Sequence, residues 1–178
     1  MSYVILGCRL VLLGMFLVSL AGKVRSRRAF REFVAATATL LAVAPGPARR
    51  LAMLAVAAEA AIVVLIGVPA TVPVGFALSA VTLGGFGYAL VRALKQERAA
   101  PCRCFGPSAT PVGRHHVIRN LVLIAAAVTA LGATLGGAPQ AVEIPGVAIT
   151  ALAALVCVVL IVRLDDIAEL FRPTAAGR

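Results

Sequence analysis

"RRAFREFVAATATLLAVAPGP", residues 27–47, decides how many times this chain crosses a membrane. Phe30, Phe33, Val34, Thr37, Leu40 and Leu41 recur at helical spacing, while Arg27, Arg28, Arg31 and Glu32 crowd the start. The apolar part covers only about twelve residues, against the roughly 17–25 that a membrane-spanning helix needs. "APGP" at 44–47 is expected to stop the helix, because proline cannot continue one. Residues 30–44 therefore read as an amphipathic or half-inserted helix and not as a span.

The flanking sequence is far more apolar. Of 178 residues, 61% are hydrophobic and 13% charged, an excess over soluble domains that points to lipid. Spans are expected at 3–22, 51–68, 72–91, 117–137 and 144–162. The first lacks the basic leader and small-residue cleavage site of a signal peptide. No internal repeat or low-complexity linker divides residues 1–178, which read as a single membrane domain. The expected fold is all-α: a polytopic membrane bundle with a four-helix core and an additional C-terminal span.

Charge supports five spans over six. The chain has 17 lysines and arginines; setting aside Arg9, which lies within the first span, leaves 16. With five spans, all of these fall on one side, from Lys23, Arg25 and Arg49 through Arg92, Arg98 and Arg114 to Arg163, Arg172 and Arg178. The opposite connections, "GVPATVP" and "GGAPQAVEIPG", carry none. A sixth span at 30–44 would scatter the basic residues over both faces. The bias places the N-terminus outside and the basic side in the cytoplasm. The net charge of +10 is thus accounted for by topology and anionic lipid, and no motif suggests a nucleic-acid partner.

Candidate chemistry gathers in "PCRCFGPSATPVGRHH", residues 101–116, between the third and fourth spans. Cys102 and Cys104 form a disulfide only if the backbone turns sharply between them, and so small a ring is strained and exchangeable. Arg103 between them, with Arg98 and Arg114 nearby, favours the thiolate that attacks in exchange. Two other readings stand beside exchange: incidental loop cysteines, and a metal site adding His115 and His116. Adjacent histidines at a helix start are expected to point in different directions, which argues against the metal. Cys8 and Cys157 lie within apolar spans and read as small hydrophobes.

Arg9 and Glu59 are charges inside spans, where a charge normally faces the bundle interior with a partner. Measured from the ends of their antiparallel spans, Arg9 lies about 10 Å and Glu59 about 13 Å deep from the same face. An intramembrane Arg9–Glu59 pair is expected, the alternative being that Arg9 reaches to the surface and Glu59 stands alone. Ser79, Gly84, Gly85 and Gly87 give the third span a small-residue surface suited to close helix packing.

Taken together, these residues resemble the methylamine-utilisation MauE family, within the wider DoxX-like group of small membrane proteins. The resemblance rests on Arg9, on "AGK" at 21–23, on the amphipathic segment with Phe30, and on Glu59. Its most specific parts are "CRCFG" at 102–106 and "IRN" at 118–120, and it covers about residues 4 to 137. It implies a four-helix membrane bundle associated with redox maturation of methylamine dehydrogenase, a disulfide-rich exported enzyme, alongside a thioredoxin-like partner. Cys102 and Cys104 become the implied exchanging pair, with Arg103, Phe105, Gly106, Arg119 and Asn120 as supporting residues. An exported client implies the opposite orientation to the charge bias, with the CxC loop outside. The layout is also similar to thiol–quinone oxidoreductases of the vitamin K epoxide reductase type. Those need a second cysteine pair to relay electrons, which these loops lack, so no quinone or other cofactor is expected. The chain departs from the family in having Arg103 where glycine is frequent, and in its fifth span. The expected function is thus a thiol–disulfide oxidoreductase of the membrane serving a client protein; the competing expectation is a non-enzymatic scaffold or assembly factor whose cysteines are structural or bind metal.

Overall fold

The computed structural model describes residues 2–96, 113–137 and 143–163. Six α-helices and one 3-10 turn account for nearly all of them: α1 (Ser2–Val24), α2 (Arg27–Leu41), α3 (Pro45–Gly67), α4 (Val72–Lys95), α5 (Arg114–Leu135) and α6 (Ile144–Val162). Five helices are long and apolar enough to cross a membrane, and α2 is not among them. Its 15 residues reach about 22 Å, short of a hydrocarbon core of about 30 Å. The fold is the expected all-α polytopic bundle.

Local chemistry explains where α2 begins and ends. The Ser26 hydroxyl accepts a hydrogen bond from the Ala29 N–H at 3.0 Å, satisfying one of the free donors of the first turn. The helix closes at Ala42, which adopts the left-handed conformation with φ 53° while its N–H bonds the Ala38 carbonyl. "APGP" therefore does not stop α2. Pro45 instead opens α3, where a missing N–H costs nothing and a fixed φ suits the first turn. Arg49 and Arg50, expected in a loop, lie on the first turns of α3.

The buried positions of each helix form a stripe. On α1 they are Leu12, Met15, Phe16, Ser19 and Lys23; on α4, Val72, Gly75, Phe76, Ser79, Leu83, Leu90 and Ala93 are prominent; on α5, His116, Asn120, Leu123, Ala127 and Ala130. Spacings of three, four and seven residues place these on single faces, and the faces meet in one core with Ile62 and Ile66 of α3. Outward-facing Leu54, Val81, Leu121, Ile149, Leu152 and Leu155 are all exposed. So broad an apolar exterior is what a lipid-facing surface requires.

α6 runs parallel to α1. A Cβ on Gly7 would meet Thr150, and one on Gly14 would come within 2.9 Å of Val158. The Glu143 N–H donates to the Tyr3 hydroxyl at 3.1 Å, tying the starts of the two helices together. α6 is thus an addition to the outside of the four-helix core, and most of its surface faces outward.

The α3–α4 turn depends on Gly75. A Cβ there would lie 2.7 Å from Ile66 Cγ1 and 3.0 Å from the Ile66 backbone nitrogen. Backbone cannot move aside as a flexible side chain can, so Gly75→Ala should destabilise the bundle by about 1–3 kcal/mol, as overpacking does. Reversible unfolding in mixed micelles measures this. Gly84→Ala, where an added Cβ meets nothing within 4 Å, should be neutral in the same assay.

Candidate functional site

The polar interior of the bundle collects toward the basic end, where α1 finishes, α3 begins, and α4 and α5 leave and re-enter. Lys23 and Glu59 are buried there, the side chains 3% and 1% exposed, with Nζ 2.6 Å from Oε1. The Lys23 ammonium also donates to Ser19 Oγ at 2.5 Å, and Ser19 Oγ donates to Glu59 Oε1 at 3.0 Å. The Cα–Cβ bonds of a helix tilt toward its N-terminus, so Lys23 extends back along α1 to Ser19, one turn earlier. Two aromatic rings flank the ammonium: Phe33 of α2 at 4.8 Å and Phe86 of α4 at 5.9 Å from their centroids. The cation therefore draws four helices together through one charge pair and two ring faces.

Arg9 is not the partner of Glu59. Its Nε donates to the Ile66 carbonyl and its Nη2 to the Gly67 carbonyl, each at 2.9 Å. These are among the last carbonyls of α3, which have no acceptor role within the helix and sit at the negative end of its dipole. Thr71 Oγ1 satisfies the Leu65 carbonyl beside them at 2.8 Å. The expected pair fails because the two spans do not start at the same level. Arg9 lies level with the end of α3, while Glu59 lies seven to eight residues further in, about 11 Å along the axis.

At the start of α5, His116, Arg119 and Asn120 are buried against the core. The Asn120 side-chain amide donates to the Leu83 carbonyl at 2.6 Å, and Gly87 supplies the gap: a Cβ there would lie 2.8 Å from Asn120 Nδ2. His116 Nδ1 accepts from the Gly113 N–H at 3.1 Å and so caps the helix start. The rings of His115 and His116, expected to point apart, lie 4.0 Å centroid to centroid. Among the described residues, no three histidine, cysteine, aspartate or glutamate side chains assemble into a metal-holding group. Cys102, Arg103, Cys104, Phe105 and Gly106 lie outside the described residues.

Of the glycines expected to support close packing, Gly87 does so against Asn120, whereas Gly84 and Gly85 face open space. Gly85 instead helps line a groove of about 310 Å³ between α2, α3 and α4, walled by Phe33, Leu40, Leu54, Ala58 and Phe86. Cys8 is half-buried against the core, and Cys157 is exposed on the outer face of α6.

A family model described as methylamine utilisation protein MauE matches residues 1–134. The chain belongs to the MauE family. The match ends within α5, so the four-helix core and α2 are the MauE part, and α6 lies beyond it. It takes in both the Lys23–Glu59 pair and the CxC segment. Comparison with curated proteins and with solved structures found no match. The five spanning helices and the MauE match together make this a multi-pass membrane protein.

Lys23 is the residue that sequence reasoning missed. By polarity it reads as one of the basic residues of the first loop, yet Leu12, Phe16, Ser19 and Lys23 recur at intervals of four, three and four along one face of α1. That continuation of the apolar stripe was the available signal that Lys23 turns inward.

Proposed function

We propose that this MauE protein is a membrane thiol–disulfide exchanger, in which Cys102 and Cys104 react with a thioredoxin-like partner to support maturation of a client enzyme of the methylamine-dehydrogenase type. The observation that carries this reading is the CxC pair itself, with Arg103 between the two thiols, inside the region matched by the family. Supporting it, the segment holding the pair leaves α4 after Lys95 and enters α5 at Arg114, so basic residues bracket it and favour the thiolate.

The exchange balances without a further reagent. A thiolate of the pair attacks one sulfur of the partner's disulfide, forming a mixed disulfide and releasing the partner's other sulfur as thiolate. The second cysteine then attacks the mixed disulfide from its own side. Cys102 and Cys104 end joined, the partner ends as a dithiol, and two electrons and two protons have passed to it. Run in reverse, the same steps oxidise the partner. A ring closed across a single intervening residue is strained, which keeps it reactive in both directions.

The distribution of lysine and arginine favours a cytoplasmic basic end with the N-terminus outside, whereas an exported client favours the outer side, where disulfides persist. Exchange and orientation are therefore tested separately. Both tests use a Cys8→Ser, Cys157→Ser chain, which leaves two of the four cysteines. After mild reduction, a maleimide should label two thiols in the purified protein, and none after incubation with an oxidised thioredoxin-like protein. In cells, a membrane-impermeant maleimide should label only after the cells are opened. Thiols that stay labelled after exposure to the oxidised partner contradict exchange; immediate labelling in intact cells reverses the orientation.

A further inference from the structure

On the side of α2 facing away from the apolar groove, Arg27 and Arg31 of α2 and Arg49 of α3 line a second groove, of about 730 Å³, together with Phe30, Val34 and Val56. All three arginines are exposed. Among the described residues none of them pairs with a carboxylate, whereas their neighbour Arg28 is held by Glu32 at 3.0 Å. Three guanidinium groups from two helices thus line one groove where no acidic side chain among the described residues neutralises them, beside a wall of apolar side chains. The groove lies at the basic end, where the apolar lengths of α1 and α3 finish. That is the level of the phospholipid headgroups.

We infer that this groove is a binding site for one anionic phospholipid, its phosphate held by Arg27, Arg31 and Arg49 and the upper part of an acyl chain lying on Phe30, Val34 and Val56. Guanidinium offers paired N–H donors in the geometry that phosphate oxygens accept. Basic residues just outside a span attract anionic lipid, but diffuse attraction needs no groove and no apolar wall. A phospholipid uses both features: the charge at its head and the chain below. The site would fix the position of α2 against α1 and α3, and it is independent of the thiol chemistry.

The test is native mass spectrometry of the full chain released from micelles after titration with phosphatidylglycerol or phosphatidylcholine. Arg27→Gln/Arg31→Gln/Arg49→Gln is compared with Arg25→Gln/Arg50→Gln/Arg92→Gln, which removes the same charge from exposed positions at the same end. The unmodified chain should bind one phosphatidylglycerol in clear preference to phosphatidylcholine. The groove variant should lose that preference by about tenfold or more, and the control variant by less than about twofold. Equal loss in both variants would show diffuse charge and overturn the site, as would no loss in either. Binding of glycerol phosphate as tight as that of the lipid would make the occupant a free phosphate ester and also overturn it. Retained lipid preference in the groove variant alongside lost binding of a polyglutamate peptide would assign the groove to an acidic protein segment, with the same consequence.

Discussion

Lys23→Met alone should lower the stability of the bundle by about 3–5 kcal/mol, and Glu59→Leu alone by a similar amount. The size follows from burial. With either partner gone, the other is a charge 1–3% exposed that has lost the opposite charge 2.6 Å away. The Lys23 ammonium would be left beside the Ser19 hydroxyl and the two phenyl faces, and the Glu59 carboxylate beside the Ser19 hydroxyl, its Oε2 already lacking a hydrogen-bond partner among the described residues. Replacing both with apolar residues of similar length removes both charges, so Lys23→Met/Glu59→Leu should recover most of the loss. Reversible unfolding in mixed micelles gives the coupling energy from the four proteins. A parallel cycle on Arg9→Leu and Glu59→Leu should show additive losses, because Arg9 caps the carbonyls of Ile66 and Gly67 and does not touch Glu59. Additive losses at Lys23 and Glu59, or strong coupling between Arg9 and Glu59, would contradict this arrangement of the interior.

The outline of the fold was legible because hydropathy and charge are summed over many residues. The short apolar length of α2, its arginine-rich start and the one-sided basic residues all led to five spans, which the structure contains. Helix ends were less legible. Arg49, Arg50, Arg92 and Lys95 read as loop residues by polarity, yet they continue α3 and α4 beyond the apolar lengths. A helix need not end where the oil does, since its backbone bonds are internal.

Pairwise contacts were harder still, and for a specific reason. Depth along a span, taken from its apolar end, misleads here because α1 begins well before the level at which α3 ends. An offset of seven to eight residues was enough to assign Glu59 the wrong cation. His116 and Asn120 posed a similar problem. His116 reads as a helix-entrance residue and Asn120 as part of the fourth span, and only the start of α5 at Arg114 places both on its buried face. Glycines showed the limit of composition as evidence: three of them lie within four positions on α4, and only Gly87 holds another helix close.

The central claim concerns Cys102 and Cys104. Removing one thiol from an exchanging pair leaves the other able to attack a partner disulfide but unable to release the product, because the resolving sulfur is gone. The mixed disulfide then has only the way back, attack by the partner's own freed thiolate, and an alkylating quench that caps that thiolate traps the adduct. Replacing both thiols abolishes attack altogether, so turnover should fall to the background of uncatalysed exchange in all three variants, while an adduct forms in only some of them. Cys8 and Cys157 do not enter the reaction, one half-buried in the core and the other facing outward from α6. A non-reducing gel of Cys102→Ser, Cys104→Ser and the double variant, each incubated with an oxidised thioredoxin-like protein, is the most direct measurement. The account predicts a reductant-sensitive band at the summed mass in at least one single variant and none in the double variant. Absence of the band from both single variants, while both thiols of the unmodified chain remain accessible to maleimide, would contradict it.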